Sequence, residues 1–211
     1  MREAIGGPGR PLRREPGGGE MLPHGVQLTP LGMNRDHRGI VTELFRQSWL
    51  PESALLQWNG VCSGANVLRG VHVHVEHVDY VVVLRGRARF GLVDLRPGSP
   101  SEGHRAELEL SGDALQALLI PPGVAHGFYF YEPALHVYGV SRYWNPADEL
   151  GCRFDDPDLG LCWPTAAPIL SPRDERLPPL TALRGRIPAW SPTGARRPAA
   201  GGAGAGAGGA T

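Results

Sequence analysis

The stretch GVHVHVEHVDYVVVLRG, residues 70–86, is the most informative part of this chain. His72 and His74 are two residues apart, so in a β-strand both side chains lie on one face and the alternating valines lie on the other. Asp79 follows His74 after four intervening residues. A second stretch, PPGVAH at 121–126, places another histidine directly after a proline-glycine turn. The spacing of His72 and His74 therefore predicts a strand that presents both imidazoles on one face.

Short apolar and β-branched runs continue on both sides of this stretch, separated by turn residues. Many short strands at close spacing are typical of a sandwich or barrel, so we predict an all-β fold. Glu76 and His77 fall between two predicted strands, and we expect both to be solvated or to lie at the rim. The predicted strands are 40–45, 54–59, 66–75, 79–86, 88–96, 105–110, 117–120, 125–131 and 135–144.

The length of 211 residues favours one domain. The first 20 residues are rich in glycine, proline and arginine, and the chain ends in the low-complexity run GGAGAGAGGAT. Neither segment has the apolar periodicity needed to form a core. We predict a folded domain at 21–185, a disordered extension at 1–20 and a disordered tail at 186–211.

The composition excludes several classes of function. The 21 acidic and 21 basic side chains give a formal net charge of +0, which offers no electrostatic basis for binding nucleic acid or an anionic membrane. Every basic residue is arginine, so chemistry that depends on a lysine is excluded. The three cysteines lack C-x-x-C spacing, which argues against a disulfide framework or thiolate zinc site. We find no signal sequence or membrane-spanning run, so a cytoplasmic protein is expected.

The spacing H-x-H-x4-acid-x6-G, followed by P-x-G-x2-H, resembles the two motifs of the cupin superfamily. This resemblance implies a double-stranded β-helix, or jelly-roll, barrel. In metal-binding cupins these residues converge on one divalent ion, and three imidazoles with one carboxylate suit Fe, Mn, Co, Ni or Zn. The alternative is a hydrogen-bonded polar lining without an ion. The corresponding residues here are His72, His74, Asp79 and His126.

A closer resemblance covers nearly all of residues 30–183. The chain resembles the dTDP-4-dehydrorhamnose 3,5-epimerase family, and several characteristic segments occur in the family's order. They are DHRGIVTELF (36–45), NVLRGVH (66–72), GLVDLRPGSP (91–100), IPPGVAHGF (120–128), YWNPADELG (143–151), DDPDLGLCWP (155–164) and ILSPRD (169–174).

This resemblance implies an isomerase that removes and returns a proton beside the ketone of a dTDP-linked 4-keto-6-deoxyhexose, in deoxysugar biosynthesis. His72 matches the family's base, Asp174 the carboxylate that orients it, and Tyr138 the opposing acid. The resemblance also implies contacts with the nucleotide sugar. Arg38, Arg69 and Arg173 match residues that bind the diphosphate. Glu43, Gln57 and Asn59 match residues around the thymidine, and His126 matches a histidine deep in the pocket. The alternatives are surface ion pairs for the arginines, a plain exposed strand position for Glu43, a core role for Tyr138, and a turn cap for Asp174.

Three departures make the chain a divergent member. After the base histidine, the tyrosine and glutamine of the family are replaced by Val73 and His74. The other two departures affect the stabilisation of the enolate. The lysine with which the family stabilises the enolate oxygen is replaced by Asp79, and the aspartate that pairs with that lysine is replaced by Phe90. Both changes bear on the mechanism, because an anionic carboxylate would repel a developing enolate.

Loss of the lysine coincides with completion of a cupin ligand set. The family requires no cofactor. A divalent ion bound by His72, His74, Asp79 and His126 could nevertheless take the place of the lysine. His72 would then be a ligand, and Asp174 would orient it. Two other functions stay open, a metal-dependent cupin dioxygenase, cyclase or isomerase on another small molecule, and a non-catalytic sugar-nucleotide binder. The resemblance also implies a homodimer, in which the 36–45 arm and the 54–59 strand add to a partner's sheet, although the sequence pattern alone would allow a monomer.

Overall fold

The computed structural model describes residues 21–192. The predicted extension at 1–20 and the tail from residue 193 onward lie outside the described residues. The chain stays packed beyond the expected domain end at residue 185. Ile187 is buried with Leu183 in the core, and the amide of Trp190 donates to the carbonyl of Pro97 at 2.9 Å.

Two five-stranded antiparallel sheets form the body of the fold, as the all-β prediction requires. The first sheet has the order β1-β9-β6-β11-β4 and the second the order β12-β5-β10-β7-β8. The strands of the first sheet are β1 (Gln27–Pro30), β4 (Gln57–Ser63), β6 (Asp79–Arg85), β9 (Gln116–Ile120) and β11 (Ala134–Val140). Those of the second are β5 (Val67–Val73), β7 (Arg87–Asp94), β8 (Arg105–Ser111), β10 (Val124–Phe130) and β12 (Leu150–Gly151).

Side-chain alternation along β6 explains why its sequence is almost continuously apolar. Val81 and Val83 face the inside, where they pack in one cluster with Phe90 and Phe130 of the opposite sheet. Tyr80 and Val82 face outward into a second cluster, which the segment from Leu44 to Leu55 covers. Because the strand is buried on both faces, it lacks the polar alternation of a half-exposed strand.

The outer face of the second sheet is covered by the C-terminal segment. Val71 and Val73 of β5 pack there with Cys152, Leu159 and Leu183. After Val140 this segment contains the short strand β12 and brief 3-10 turns, which agrees with the irregular structure expected from its proline content. The turns are Pro146–Asp148, Pro157–Leu159, Asp174–Arg176 and Leu180–Leu183.

The predicted strands at 40–45 and 54–59 differ from the observed ones. A separate two-stranded hairpin pairs β2 (Met33–Asp36) with β3 (Gly39–Thr42), and extended pairing stops before Glu43. The fourth strand begins at Gln57, because residues 50–56 belong to the cover over the first sheet. Its outer edge pairs with no described strand, and Trp58 and Leu56 there are exposed.

No helix among residues 21–192 has the length and apolar character needed to cross a membrane.

Candidate active site

A cavity of about 240 Å³ lies between the inner faces of the two sheets. Strands β5 and β10 form one wall, strands β4, β6 and β11 form the other, and the C-terminal segment closes one side. Five histidines contribute to it. The lining residues are Gln57, Asn59, Val61, Arg69, His72, His74, His77, Asp79, Val81, His126, Phe128, His136, Tyr138, Val140, Trp144, Glu149, Ser171, Arg173 and Asp174.

His72 and Asp174 form a hydrogen-bonded pair at this cavity, with Nε2 and Oδ1 2.7 Å apart. The carboxylate is held in place by the backbone amide of Gly70, which donates to its second oxygen at 3.4 Å. The hydroxyl of Ser171 accepts from the Asp174 amide and fixes the start of its 3-10 turn. Burial opposes ionisation of Asp174, but the bond from His72 holds the pKa of the carboxyl below its usual value.

This pairing defines the tautomer of His72. With Nε2–H donated to Asp174, the ring presents its lone pair at Nδ1, as a neutral imidazole that acts as a base must. Asp174 also favours the imidazolium that forms when the base takes a proton. The geometry fits the orienting role expected for Asp174, although it also starts a turn.

Tyr138 lies on β11 in the wall opposite His72. Burial, with the nearby carboxylates of Asp79 and Glu149, raises the pKa of its phenol above the usual value. The phenol therefore keeps its proton at neutral pH and can donate it to a reacting carbon.

His74, Asp79 and His126 form a buried group at the centre of the cavity. One ligand atom from each lies within 4.8 Å of the others. Burial lowers the pKa of His126 to about 3, so its imidazole is neutral. The fourth predicted ligand, His72, is outside this group, and its Nε2 is bonded to Asp174. The structure thus brings three of the four expected metal ligands together.

His77 was expected to be solvated, and this expectation is wrong. The side chain is buried, with Nδ1 2.8 Å from Asp148 Oδ2 and Nε2 3.7 Å from Asp79 Oδ2. Burial alone would lower its pKa, but the hydrogen bond with Asp148 and the negative charges of Asp148 and Asp79 raise it to about 9. The chain after Tyr138 folds back and brings Asp148 over the β5–β6 turn, which local sequence did not reveal. Glu76 is exposed, as expected, and pairs with Arg142.

Five of the seven predicted substrate-binding residues line the cavity. Arg69 donates to Ser63 Oγ at 3.0 Å, and Arg173 pairs with Glu149 at 2.6 Å. Both guanidiniums retain unused N–H donors for an anionic ligand. The other three are Gln57, Asn59 and His126.

Arg38 and Glu43 do not reach the cavity of their own chain. Arg38 follows β2 in the turn of the projecting hairpin, is 76% exposed and pairs with Asp36. Glu43 is exposed just after β3 and pairs with Arg46. The hairpin points these side chains away from the barrel, so a contact with substrate in the same subunit is excluded by this arrangement.

His136 and Glu149 also line the cavity, although no sequence motif pointed to them. His136 is two residues before Tyr138 on β11, so it lies on the same inner face, and strand alternation alone would have located it. Its ring stacks on Phe130, and burial, with the charge of Arg69, lowers its pKa to about 4. Phe90 is also buried inside the barrel, with its ring tilted against that of Phe128 at a centroid distance of 4.5 Å, and it supplies no carboxylate to the site.

Comparison with known proteins agrees with this geometry. The profile of the family described as dTDP-4-dehydrorhamnose 3,5-epimerase matches residues 22–182. A protein of that name from Neisseria gonorrhoeae is 38% identical over 71% of this chain, which spans 48% of that relative. The Escherichia coli protein of that name is 37% identical over 67% of this chain and 82% of its own length.

Solved structures show the same barrel. A 3′-monoepimerase from Streptomyces bikiniensis in complex with dTDP-quinovose superimposes with a TM-score of 0.75 at 29% identity, over 81% of this chain and 92% of that one. A 4-keto-6-deoxy sugar epimerase from Streptomyces spheroides gives a TM-score of 0.75 at 30% identity, over 89% and 98%. The cupin jelly-roll fold is thereby confirmed, and the chain belongs to the dTDP-4-dehydrorhamnose 3,5-epimerase family.

Proposed function

We propose that this protein is an isomerase that epimerises a dTDP-linked 4-keto-6-deoxyhexose in deoxysugar biosynthesis. The observation that carries the proposal is the His72–Asp174 pair at 2.7 Å, which lies in a cavity that Tyr138 enters from the opposite sheet. A base and an acid on opposite walls are what inversion at a carbon requires, because one proton leaves from one face and another arrives on the other.

The first step assigned to the chain is removal of a proton from a carbon beside the C4 ketone. The carbonyl acidifies that position, and His72 Nδ1 accepts the proton. Asp174 keeps the ring oriented and stabilises the imidazolium that results. The electron pair of the broken C–H bond moves to the carbonyl oxygen, giving an enolate.

The second step is return of a proton to the opposite face. Tyr138 donates its phenolic proton to the enolate carbon, and the carbonyl is regenerated. The raised pKa of this phenol keeps the donor form populated at neutral pH.

The nucleotide end of the substrate is assigned to the polar mouth of the cavity. Arg69 and Arg173 are placed to bind the diphosphate oxygens, for which planar guanidiniums are suited. Gln57 and Asn59, hydrogen-bonded to each other at 3.1 Å, are assigned to the thymidine.

A homodimer would complete the site. The hairpin β2–β3 projects from the barrel with Ile40 and Val41 exposed, and the edge of β4 is unpaired within residues 21–192. Open strand edges and exposed apolar side chains favour pairing with a second copy. The partner's hairpin would then carry Arg38 and Glu43 into a site that they cannot reach in their own subunit.

A second candidate function is a metal-dependent cupin reaction on a different small molecule. The grouping of His74, Asp79 and His126 favours it, because two imidazoles and a carboxylate suit Fe, Mn, Co, Ni or Zn. A dTDP titration separates the two candidates, since only the epimerase needs a thymidine diphosphate site.

The proposal is tested with dTDP-4-keto-6-deoxyglucose as substrate. After incubation the product is reduced at C4 and its stereochemistry is read by NMR. Inversion at C3, C5 or both supports the proposal. Unchanged stereochemistry at both carbons, in a sample that binds dTDP, contradicts it.

A further inference from the structure

The central group of the cavity has the properties of a metal centre. His74 is 8% exposed and His126 is 3% exposed, and their ligand atoms lie within 4.8 Å of each other and of Asp79. Two atoms bound to one ion at about 2 Å each are at most about 4 Å apart. Side-chain adjustments of under about 1 Å therefore bring all three residues to bonding distance.

His126 has a hydrogen-bond partner on the side away from the space that the three ligand atoms enclose. His126 donates Nδ1–H to the carbonyl of Val124 at 3.1 Å, which leaves the Nε2 lone pair available. On His74, Nε2 lies 4.0 Å from Asp79 and Nδ1 lies 3.6 Å from Glu149. Outer partners of this kind fix the tautomer and orientation of metal-binding imidazoles.

His74 shows that the arrangement is incomplete as it stands. Its Nδ1 is buried and makes no hydrogen bond. Its Nε2 lies 4.0 Å from Asp79 Oδ2, which is too long for a hydrogen bond. A buried polar group without a partner is costly, so a purely hydrogen-bonded lining leaves this residue unexplained. An ion that binds Nε2 would draw the ring into place and acidify Nδ1–H, which strengthens its interaction with Glu149.

A second grouping, His74 with His77 and Asp148, is a poorer site. Both oxygens of Asp148 are already used. One accepts from the amide of Val75 at 2.7 Å, and the other accepts from His77 at 2.8 Å. Asp148 instead binds His77 Nδ1, and His77 Nε2 lies 3.7 Å from Asp79 Oδ2.

We propose that His74, Asp79 and His126 bind a divalent transition-metal ion, and that His72 remains outside this centre as the base. The role of the ion rests on the proposed function. It would stabilise the enolate oxygen, as the family's lysine does, and it would neutralise Asp79, which otherwise repels the enolate. This chain would combine a metal centre with the His72–Asp174 pair of its family.

The binding test uses the full chain, purified without an affinity tag and stripped with a chelator. Cobalt(II) is titrated while visible absorption is recorded, because Co²⁺ on imidazole and carboxylate ligands gives d–d bands that aqueous Co²⁺ lacks. The proposal expects one equivalent of Co²⁺ and competition by Zn²⁺. His74→Gln and the isosteric Asp79→Asn should each weaken binding by at least tenfold.

Three controls keep this test decisive. His37→Gln removes an exposed histidine of the hairpin and should leave the titration unchanged. His72→Gln should also leave it nearly unchanged, and a loss equal to that of His74→Gln would restore the four-ligand set and overturn the proposal. Thermal unfolding of every variant shows whether it is folded, and His126→Gln replaces any variant that is not.

Failure of the metal site can be told apart from failure of the epimerase assignment. The same stripped sample is titrated with dTDP and assayed for epimerisation. Absence of Co²⁺ binding, or full activity after stripping, overturns the metal proposal and leaves the epimerase intact. Stoichiometric Co²⁺ binding without epimerisation leaves the metal site supported and overturns the proposed function.

Discussion

His72 and Asp174 are 102 residues apart in sequence, and their side chains meet at 2.7 Å. Strand β5 points His72 into the cavity, while a 3-10 turn of the C-terminal segment delivers Asp174 from outside the barrel. The side chain of His72, the proposed base, is therefore oriented by a segment that also forms the outer core with Val71 and Val73. Catalytic geometry and packing of the C-terminal segment are coupled through this contact.

Asp174→Asn should reduce kcat by roughly 10³-fold or more. An amide in this position can donate to His72 and favour the wrong tautomer, and it no longer stabilises the imidazolium. Steady-state kinetics measure the effect, and KM should change little. Glu175→Gln, the exposed neighbouring residue, is the matched control; equal losses in both variants would count against an orienting role.

Tyr138→Phe should separate proton removal from epimerisation. The base still abstracts the proton, so solvent deuterium should enter the substrate with retained configuration, while formation of the epimer falls by roughly 10²-fold or more. NMR in D₂O records both processes. An unchanged rate of epimerisation would remove Tyr138 from the acid role.

Arg69→Gln should weaken dTDP binding by about tenfold to 100-fold, because a charge-assisted hydrogen bond is worth about 1.5–3 kcal/mol. Isothermal titration calorimetry gives the change in Kd. Arg87→Gln is the control, since Arg87 is 52% exposed and pairs with Glu109 on the outer surface. Equal affinity in both variants would contradict a phosphate contact at Arg69.

Arg38→Ala should also weaken dTDP binding, although Arg38 is remote from the cavity of its own subunit. The reason is that the dimer would place this hairpin in the partner's site. Sedimentation should give a mass of two chains for both the wild type and the variant. If the Arg38→Ala variant were a monomer and bound dTDP as tightly as the wild type, the shared site would be refuted.

Asp94→Asn should lower stability without altering dTDP binding. Asp94 is fully buried and accepts from Arg96 Nε and Nη2, each at 2.7 Å, and from Ser99. Burial opposes its ionisation, but these donors lower its pKa to about 2. Removing one partner of a buried ion pair costs about 3–5 kcal/mol.

The same residue predicts a pH effect of defined sign. The folded-state pKa of Asp94 lies below its value of 3.8 in an unfolded chain, so its stabilisation is present above about pH 4 and is lost as pH falls towards 2. The amount is about 2 kcal/mol. Urea unfolding across this range should show a steeper decline for the wild type than for Asp94→Asn; parallel curves would disprove the assignment.

The all-β class was predictable from the many short strands and the inner face of β5 from strand alternation, whereas the jelly-roll barrel was predicted from the resemblance to cupins. His72 and His74 point inward and Val71 and Val73 outward, as a period of two requires. The role of Asp174 came from family resemblance alone, since no local pattern links it to a strand 102 residues earlier.

Other features depend on tertiary contacts that sequence spacing does not reveal. His77 lies in a turn, where solvation is the usual outcome, yet Asp148 returns from 71 residues away to bury it. Arg38 and Glu43 match the family's substrate contacts by position, but in a single chain the hairpin carries them outward. Their position is compatible with substrate contacts only if the substrate lies in the cavity of a second subunit.

Deuterium incorporation tests the central claim most directly. Wild-type protein and His72→Gln are incubated with dTDP-4-keto-6-deoxyglucose in D₂O, and the signals of the hydrogens beside C4 are followed by NMR. Glutamine can still donate to Asp174 but offers no base. The account predicts loss of those signals with the wild type and at least 10³-fold slower loss with His72→Gln. Equal rates in the two proteins would contradict proton abstraction by His72.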